Sequence, residues 1–178
     1  MPDFIAVEGP IGVGKTTLAR KIAETFEYDL VLEEAEMNPF LERFYQNREQ
    51  TALATQLFFL FQRVQKITDI KQRDMFERTR VTDFILEKDP LFARVNLEPA
   101  EYALYDKVYE KMHVEAPTPD LVIYLQANPE RLLERIGKRG IDAEQSIDRS
   151  YLEQLNEVYS EFFLYYDCLL YTSDAADE

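Results

Sequence analysis

The sequence is poor in sulfur, imidazole and positive charge, and each scarcity excludes something. A single cysteine, Cys168, in 178 residues rules out an intramolecular disulfide framework and a thiolate metal cluster. The one histidine, His113, precedes a proline loop at a helix end and is expected to be a surface group without a chemical role. No run of about 18 apolar residues exists, and the N-terminus passes straight into a strand instead of a signal peptide. A soluble, cytoplasmic protein is expected. Basic side chains number 20 against 34 acidic ones, a net charge of -14. A polyanion is repelled overall, so neither nucleic acid nor an anionic membrane is an expected partner. Any anionic small molecule must be held by locally clustered cations, which makes the positions of Arg and Lys informative.

The composition that is present, 46% hydrophobic and 30% charged, provides for one globular domain with a sizeable core. Of only five glycines, three fall in Gly9-Pro-Ile-Gly-Val-Gly-Lys-Thr16, which fits the phosphate-loop pattern G-x-x-x-x-G-K-[ST]. The setting is the one this pattern requires. Phe4-Ile-Ala-Val7 reads as a buried strand before it, and Leu18, Ile22 and Ala23 recur at helical spacing after it. Gly9, Gly12 and Gly14 allow close backbone approach, and the N–H groups from Val13 to Thr17 then face an anion at a helix start. Lys15 adds charge near the β- and γ-phosphates, and Thr16 offers a hydroxyl to magnesium. A nucleoside triphosphate site follows.

Down the chain, a helix is expected over about 15–26, a short strand at Leu30-Val-Leu32 ending in Glu33-Glu34, and a long helix over about 50–71. Phe40, Leu41, Phe44 and Tyr45 form an aromatic face before that helix, on which Gln56 and Arg63 share one side two turns apart. The stretch 74–83 reads as a buried strand with a functional end. Helices over 89–95 and 98–112 precede a clear strand at Leu121–Leu125. Asn128-Pro129 starts a helix running to about Ile136, and Gly137-Lys-Arg-Gly140 interrupts it. A last helix spans about 148–166. Strands alternating with helices indicate an α/β fold of the P-loop kinase type: three layers, with a central parallel sheet of four to five strands. Glycines around Lys138 and Arg139 suggest a mobile lid over about 137–147 that brings charge to a transferring phosphate. The fourth strand ends in Leu125-Gln126 without the acid of motor-type ATPases, and the guanine-reading N-K-x-D of GTPases is missing. Those absences favour a small-molecule phosphotransferase.

Taken together, the separated motifs resemble the deoxynucleoside kinases, particularly the bacterial deoxyguanosine/deoxyadenosine kinases, over essentially residues 1–167. The resemblance implies ATP-dependent phosphorylation of a deoxynucleoside 5′-hydroxyl in nucleotide salvage, with Mg2+ as cofactor and a homodimer formed through the 50–71 and 98–112 helices. It places Glu34 as the catalytic carboxylate, with Ala35 where a proline usually follows. Tyr45, Gln56 and Arg63 match positions that hold the sugar 3′-hydroxyl and the base. Glu77-Arg78-Thr79 is similar to a Glu-Arg-Ser motif, which puts Arg78 at the substrate and the reacting phosphate and Glu77 beside Thr16 at the metal. Asp83 falls where an acid assists base recognition, flanking the base with Arg63. Arg131, Arg135 and Arg139 resemble arginines of the helix and lid that wrap the donor, although Ile141 replaces a third lid arginine.

In the expected reaction Glu34 orients the sugar hydroxyl and accepts its proton, with Glu33 as the runner-up. Lys15, Arg78, Arg135 and Arg139 surround the γ-phosphate. Purine deoxynucleosides are favoured, with deoxycytidine also compatible. A thymidylate-like nucleoside monophosphate kinase and a non-catalytic nucleotide-binding subunit are the alternatives. The last stretch, 168–178, resembles the translation of a transposase end used to tag DNA fragments, read through from a truncated frame. It is expected to lie outside the functional domain, though Cys168–Thr172 is apolar enough to pair as an edge strand.

Overall fold

A computed structural model describes residues 2–72, 78–112, 116–167 and 170–174. Five strands lie in one sheet, β1 (Phe4–Glu8), β2 (Asp29–Val31), β3 (Arg80–Thr82), β4 (Leu121–Gln126) and β5 (Leu170–Asp174), in the order β2-β3-β1-β4-β5. All neighbours pair in parallel; Ile5 stands opposite both Val81 and Leu121. Seven helices cover the sheet: α1 (Lys15–Phe26), α2 (Leu41–Gln46), α3 (Arg48–Gln72), α4 (Asp89–Asn96), α5 (Pro99–Lys111), α6 (Pro129–Arg139) and α7 (Arg149–Leu164).

The central strand explains the layering. All five residues of β1 are buried, as a strand covered on both faces must be. Its side chains alternate between two apolar clusters. Ile5 and Val7 join the larger core with Leu60, Ile67, Leu132 and Leu152. Ala6 faces the other side with Val122, Tyr124, Tyr159 and Phe163. There the rings of Tyr124 and Phe163 stack at 4.4 Å and seat α7 on the sheet.

Local chemistry sets the helix ends. Asn128 caps α6 by accepting from the Arg131 N–H, with Pro129 in the first turn, and Asp148 caps α7 by accepting from the Tyr151 N–H. The α6 helix differs from expectation at its far end. It runs through Gly137 to Arg139 and stops only at Gly140, whose φ of 66° closes it in the left-handed region. A Cβ at Gly137 would meet nothing within 4 Å, so that glycine sits on an open helix face and only the second of the pair breaks the helix. The strand expected over 74–83 is confined to Arg80–Thr82 among the described residues. Residues 73–77 with Glu77, 113–115 with His113, and 168–169 with Cys168 lie outside them.

Leu170–Asp174 adds an edge strand to β4, with Val122 opposite Leu170 and Gln126 opposite Asp174. Leu170 also packs against the Tyr124–Phe163 cluster. Ending the chain at Asp167 removes both the ladder and this contact and opens the β4 edge. The shortened chain is expected to melt about 5 °C lower, the effect of a loss of roughly 2 kcal/mol at this size, as read by thermal unfolding. An unchanged melting temperature would mean that β5 contributes nothing to the sheet.

Candidate active site

The site lies where parallel strands end. β1 stops at Glu8, the chain turns through Gly9–Gly14, and α1 begins at Lys15. Two glycines are required by contact: a Cβ at Gly9, where φ is 150°, would stand 2.4 Å from the Leu125 carbonyl oxygen, and one at Gly12 2.9 Å from Ile136 Cγ1. The loop is thus clamped between the end of β4 and α6. Buried Val13 anchors it from beneath, and its carbonyl accepts from Arg135 Nη1 at 2.9 Å. Lys15 Nζ folds onto the loop, donating to the carbonyls of Gly9 at 2.7 Å and Pro10 at 3.2 Å. Burial, then repulsion from Lys88, lowers the Lys15 pKa. Thr16 Oγ1 donates to Asp83 Oδ2 at 2.6 Å, while Thr17 is exposed on α1.

Asp83 follows β3 directly. Its other oxygen accepts the Glu33 N–H at 2.7 Å, so it ties the phosphate loop to the end of β2. Glu33 points inward. Arg63 lies 2.6 Å from Glu33 Oε1, and Lys88 Nζ 3.1 Å. Burial alone would raise the Glu33 pKa, but the charges of Arg63 and Lys88 outweigh it and hold the carboxyl down to about 2. Glu34, the next residue, takes a left-handed backbone with φ 56° and turns outward. Its carboxylate pairs with Lys66 on α3 and is 54% exposed, against 15% for Glu33.

A cleft of about 560 Å³ opens from these groups and is lined by Tyr45, Gln56, Phe59, Arg63 and Tyr159. Arg63 is buried, bridges Glu33 and Asp89, and lies 4.9 Å over the Phe59 ring. Burial would lower its pKa; Glu33 and Asp89 raise it above the ordinary value instead. Asp89 is fully buried and accepts from Tyr105 Oη at 2.5 Å, and its backbone carbonyl accepts from Gln56 Nε2 at 3.1 Å. Tyr45 lines the same cleft, and burial pushes its phenol well above the usual value. At the mouth, Arg139 pairs with Glu144 from the 3₁₀ turn Asp142–Ser146 that follows α6.

The structure therefore gathers Lys15, Thr16, Tyr45, Gln56, Arg63, Asp83 and Arg139 around one cleft, with Arg135 bound to the loop beside it. Three expected placements differ. Arg78 precedes β3, so it stands at the amino end of the sheet; it is exposed and donates to the Glu27 carbonyl at the far end of α1. That end is about 18 Å of helix away from the loop. Asp83 does not meet Arg63; the buried acid that does is Asp89. Glu33 and Glu34 both line the cleft, but Glu33 is the sheltered one, meeting Arg63 and Lys88, while the Glu34 carboxylate pairs with Lys66. Arg131 pairs with Glu134 on the outer face of α6. Sequence reasoning passed over Glu8, Lys88 and Asp89. Glu8 is fully buried and accepts from Gly9 N, Ile85 N and Tyr159 Oη. The available signal for Glu8 was an acid closing an apolar strand; Asp89 before Pro90 read only as a helix start.

Comparison with known proteins gives these groups a context. A sequence model of the family described as deoxynucleoside kinase matches residues 5–175. The chain is similar to the deoxyguanosine kinase of Bacillus subtilis, 37% identical over 157 residues, covering 88% of this chain and 76% of that protein. It is also similar to the deoxyadenosine/deoxycytidine kinase of Bacillus subtilis, 33% identical over 170 residues, covering 90% of this chain and 76% of that one. Among solved structures, the deoxyadenosine kinase from M. mycoides with bound dATP superposes with a TM-score of 0.87 at 30% identity, covering 98% of this chain and 92% of its own. With a matching family model over nearly its whole length and relatives above 30% identity, this chain belongs to the deoxynucleoside kinase family.

Proposed function

We propose that this protein transfers the γ-phosphoryl group of ATP to the 5′-hydroxyl of a deoxynucleoside, with Mg2+ as cofactor; deoxyadenosine or deoxyguanosine comes first, and deoxycytidine is also compatible. The observation that carries the reading is Glu33, ionised, sheltered and pinned by Arg63 in the cleft that holds the phosphate loop. Its supporting context is that the Bacillus subtilis relatives are deoxyguanosine and deoxyadenosine/deoxycytidine kinases and that the M. mycoides structure holds dATP.

Glu33 takes the role first assigned to Glu34. It accepts a hydrogen bond from the 5′-hydroxyl and so aims the oxygen lone pair at the γ-phosphorus. As the new O–P bond forms, the bond from phosphorus to the bridging oxygen breaks and ADP keeps that electron pair. The hydroxyl becomes acidic as the reaction advances, and its proton passes to a Glu33 oxygen. A carboxylate held near a pKa of about 2 is a weak base, which suits a proton moved late in a loose transition state. Lys15 leaves its loop carbonyls for phosphate oxygens, and Arg135 and Arg139 neutralise the donor from α6 and the lid over 137–147. Oxygen donors suit Mg2+, and the Thr16 hydroxyl and Asp83 carboxylate would hold it, the rest of its shell being water and phosphate. When bound, the ion neutralises charge on the phosphates. Gln56 and Arg63 read the base edge, held from behind by the buried Asp89, and Tyr45 supports the sugar. All of these residues lie within 1–167, assigned as the catalytic unit, with 168–178 outside it. A homodimer through α3 and α5 is supported by Phe61 and Leu104, 52% and 51% exposed on those helices.

Three outcomes test this reading. A panel of deoxynucleosides and their monophosphates is expected to show ATP turnover with the purine deoxynucleosides and none with monophosphates; turnover with monophosphates alone would overturn it. Glu33→Gln is expected to lower kcat at least about 100-fold with ATP affinity kept by calorimetry, and Glu34→Gln to stay within about threefold. The reverse ranking would restore Glu34 to the base role. Sedimentation is expected at twice the chain mass, and Leu104→Glu is expected to yield monomers.

A further inference from the structure

With Arg78 at the far end of the sheet, the phosphate-transfer end of the cleft needs another cation on the acceptor side, and a buried lysine stands there. Lys88 ends the 3₁₀ turn Leu86–Lys88 after β3, is 2% exposed, and lines the cleft. Its ammonium contacts Glu8 Oε1 at 3.2 Å and both oxygens of Glu33, at 3.1 and 3.3 Å. A lysine loses much hydration and rotamer freedom when fully buried, and a buried charge pair is no better for stability than apolar packing. Holding this one at the mouth of a phosphate site therefore calls for a reason beyond the fold.

We propose that Lys88 is a positioning residue for phosphoryl transfer, fixing the Glu33 carboxylate toward the acceptor hydroxyl. The inference rests on the reading of Glu33 as proton acceptor. The geometry gives each of the two cations a separate task. Arg63 is shared between Glu33 and Asp89, so it ties the acceptor carboxylate to the base-reading end. Lys88 is shared between Glu33 and Glu8, and the Glu8 carboxylate accepts the N–H of Gly9, the first residue of the phosphate loop. Lys88 thus ties the same carboxylate to the donor end. Its field also reaches Lys15 and helps to lower the pKa of that ammonium. Rotating Glu33 would break contacts in both directions, and the hydroxyl it holds is kept in line with the phosphorus.

Removing Lys88 alone leaves Glu8 buried without its partner, so the test removes both charges of that pair. Relative to Glu8→Gln, the Glu8→Gln/Lys88→Met variant is expected to lose about 100-fold in kcat, with the KM for ATP and the melting temperature nearly unchanged. Lys88→Arg is expected to stay within about tenfold of wild type. In a Glu33→Gln background the same pair of substitutions is expected to cost less than about threefold further, because the group it positions is already gone. Two results would overturn the proposal: a Glu8→Gln/Lys88→Met variant as active as Glu8→Gln, or losses that multiply fully with Glu33→Gln. Failure of the underlying reading looks different, since Glu33→Gln would then itself retain wild-type kcat whatever happens at Lys88.

Discussion

Arg63 is caught, almost wholly buried, between two carboxylates, and much of the cleft is arranged around that one guanidinium. It comes from the middle of α3, meets Glu33 from the end of β2 and Asp89 from the start of α4, and lies over Phe59 on its own helix. Taking away one partner of such a buried pair typically costs about 3–5 kcal/mol, because an uncompensated charge remains. Each participant is therefore bound to the conformations of the others. The end of β2 and the start of α4 cannot drift apart without breaking this bridge. In the proposed reaction, substrate recognition and reaction geometry become a single mechanical unit.

The topology delivers these groups economically. Parallel strands all end on the same side, so Glu8, Glu33 and Asp83 arrive together from β1, β2 and β3 although they lie far apart in sequence. One short stretch then does most of the joining. Asp83 binds Thr16 and the Glu33 backbone, Ile85 N–H binds Glu8, Lys88 binds Glu8 and Glu33, and Asp89 binds Arg63. Only five residues separate Asp83 from Asp89 in chain order, yet the stretch touches Thr16 of the phosphate loop, Glu33 and Arg63.

The sequence displayed some of this openly and concealed the rest, for identifiable reasons. The strand–loop–helix around Gly9–Thr16 was legible because glycine spacing and apolar periodicity agree there. The parallel sheet followed from strands alternating with helices, and α3 from its regular leucines. What could not be read was direction at a strand end. Glu33 and Glu34 are chemically identical neighbours, and only the left-handed backbone at Glu34 decides which one faces inward. The placement of Arg78 and the partner of Asp83 were hidden for a related reason. The expected strand over 74–83 gave no way to tell which residues precede it and which follow, and a three-residue strand at 80–82 assigns them to opposite ends of the sheet. Asp89 was hidden by its neighbour, since an acid before a proline is also an ordinary helix start. Gly137 misled in the other direction, because an exposed glycine can ride inside a helix at a cost near 1 kcal/mol.

A protein with a net charge of -14 must still present a positive site to a triphosphate, and the described cations are placed so as to reconcile the two demands. Lys15 rests on two loop carbonyls, Arg135 donates to the Val13 carbonyl, Arg139 pairs with Glu144, and Lys88 is balanced by Glu8 and Glu33. For Lys15 and Arg135 these partners are neutral backbone carbonyls, which a phosphate oxygen can replace without stranding a charge. Lys88 differs, because both of its carboxylates are enclosed and neither can be released cheaply. The donor side is thus built from contacts that exchange and the acceptor side from contacts that hold. That division matches what phosphoryl transfer requires: charge that moves with the incoming nucleotide, and a hydroxyl that stays still while the phosphorus comes to it.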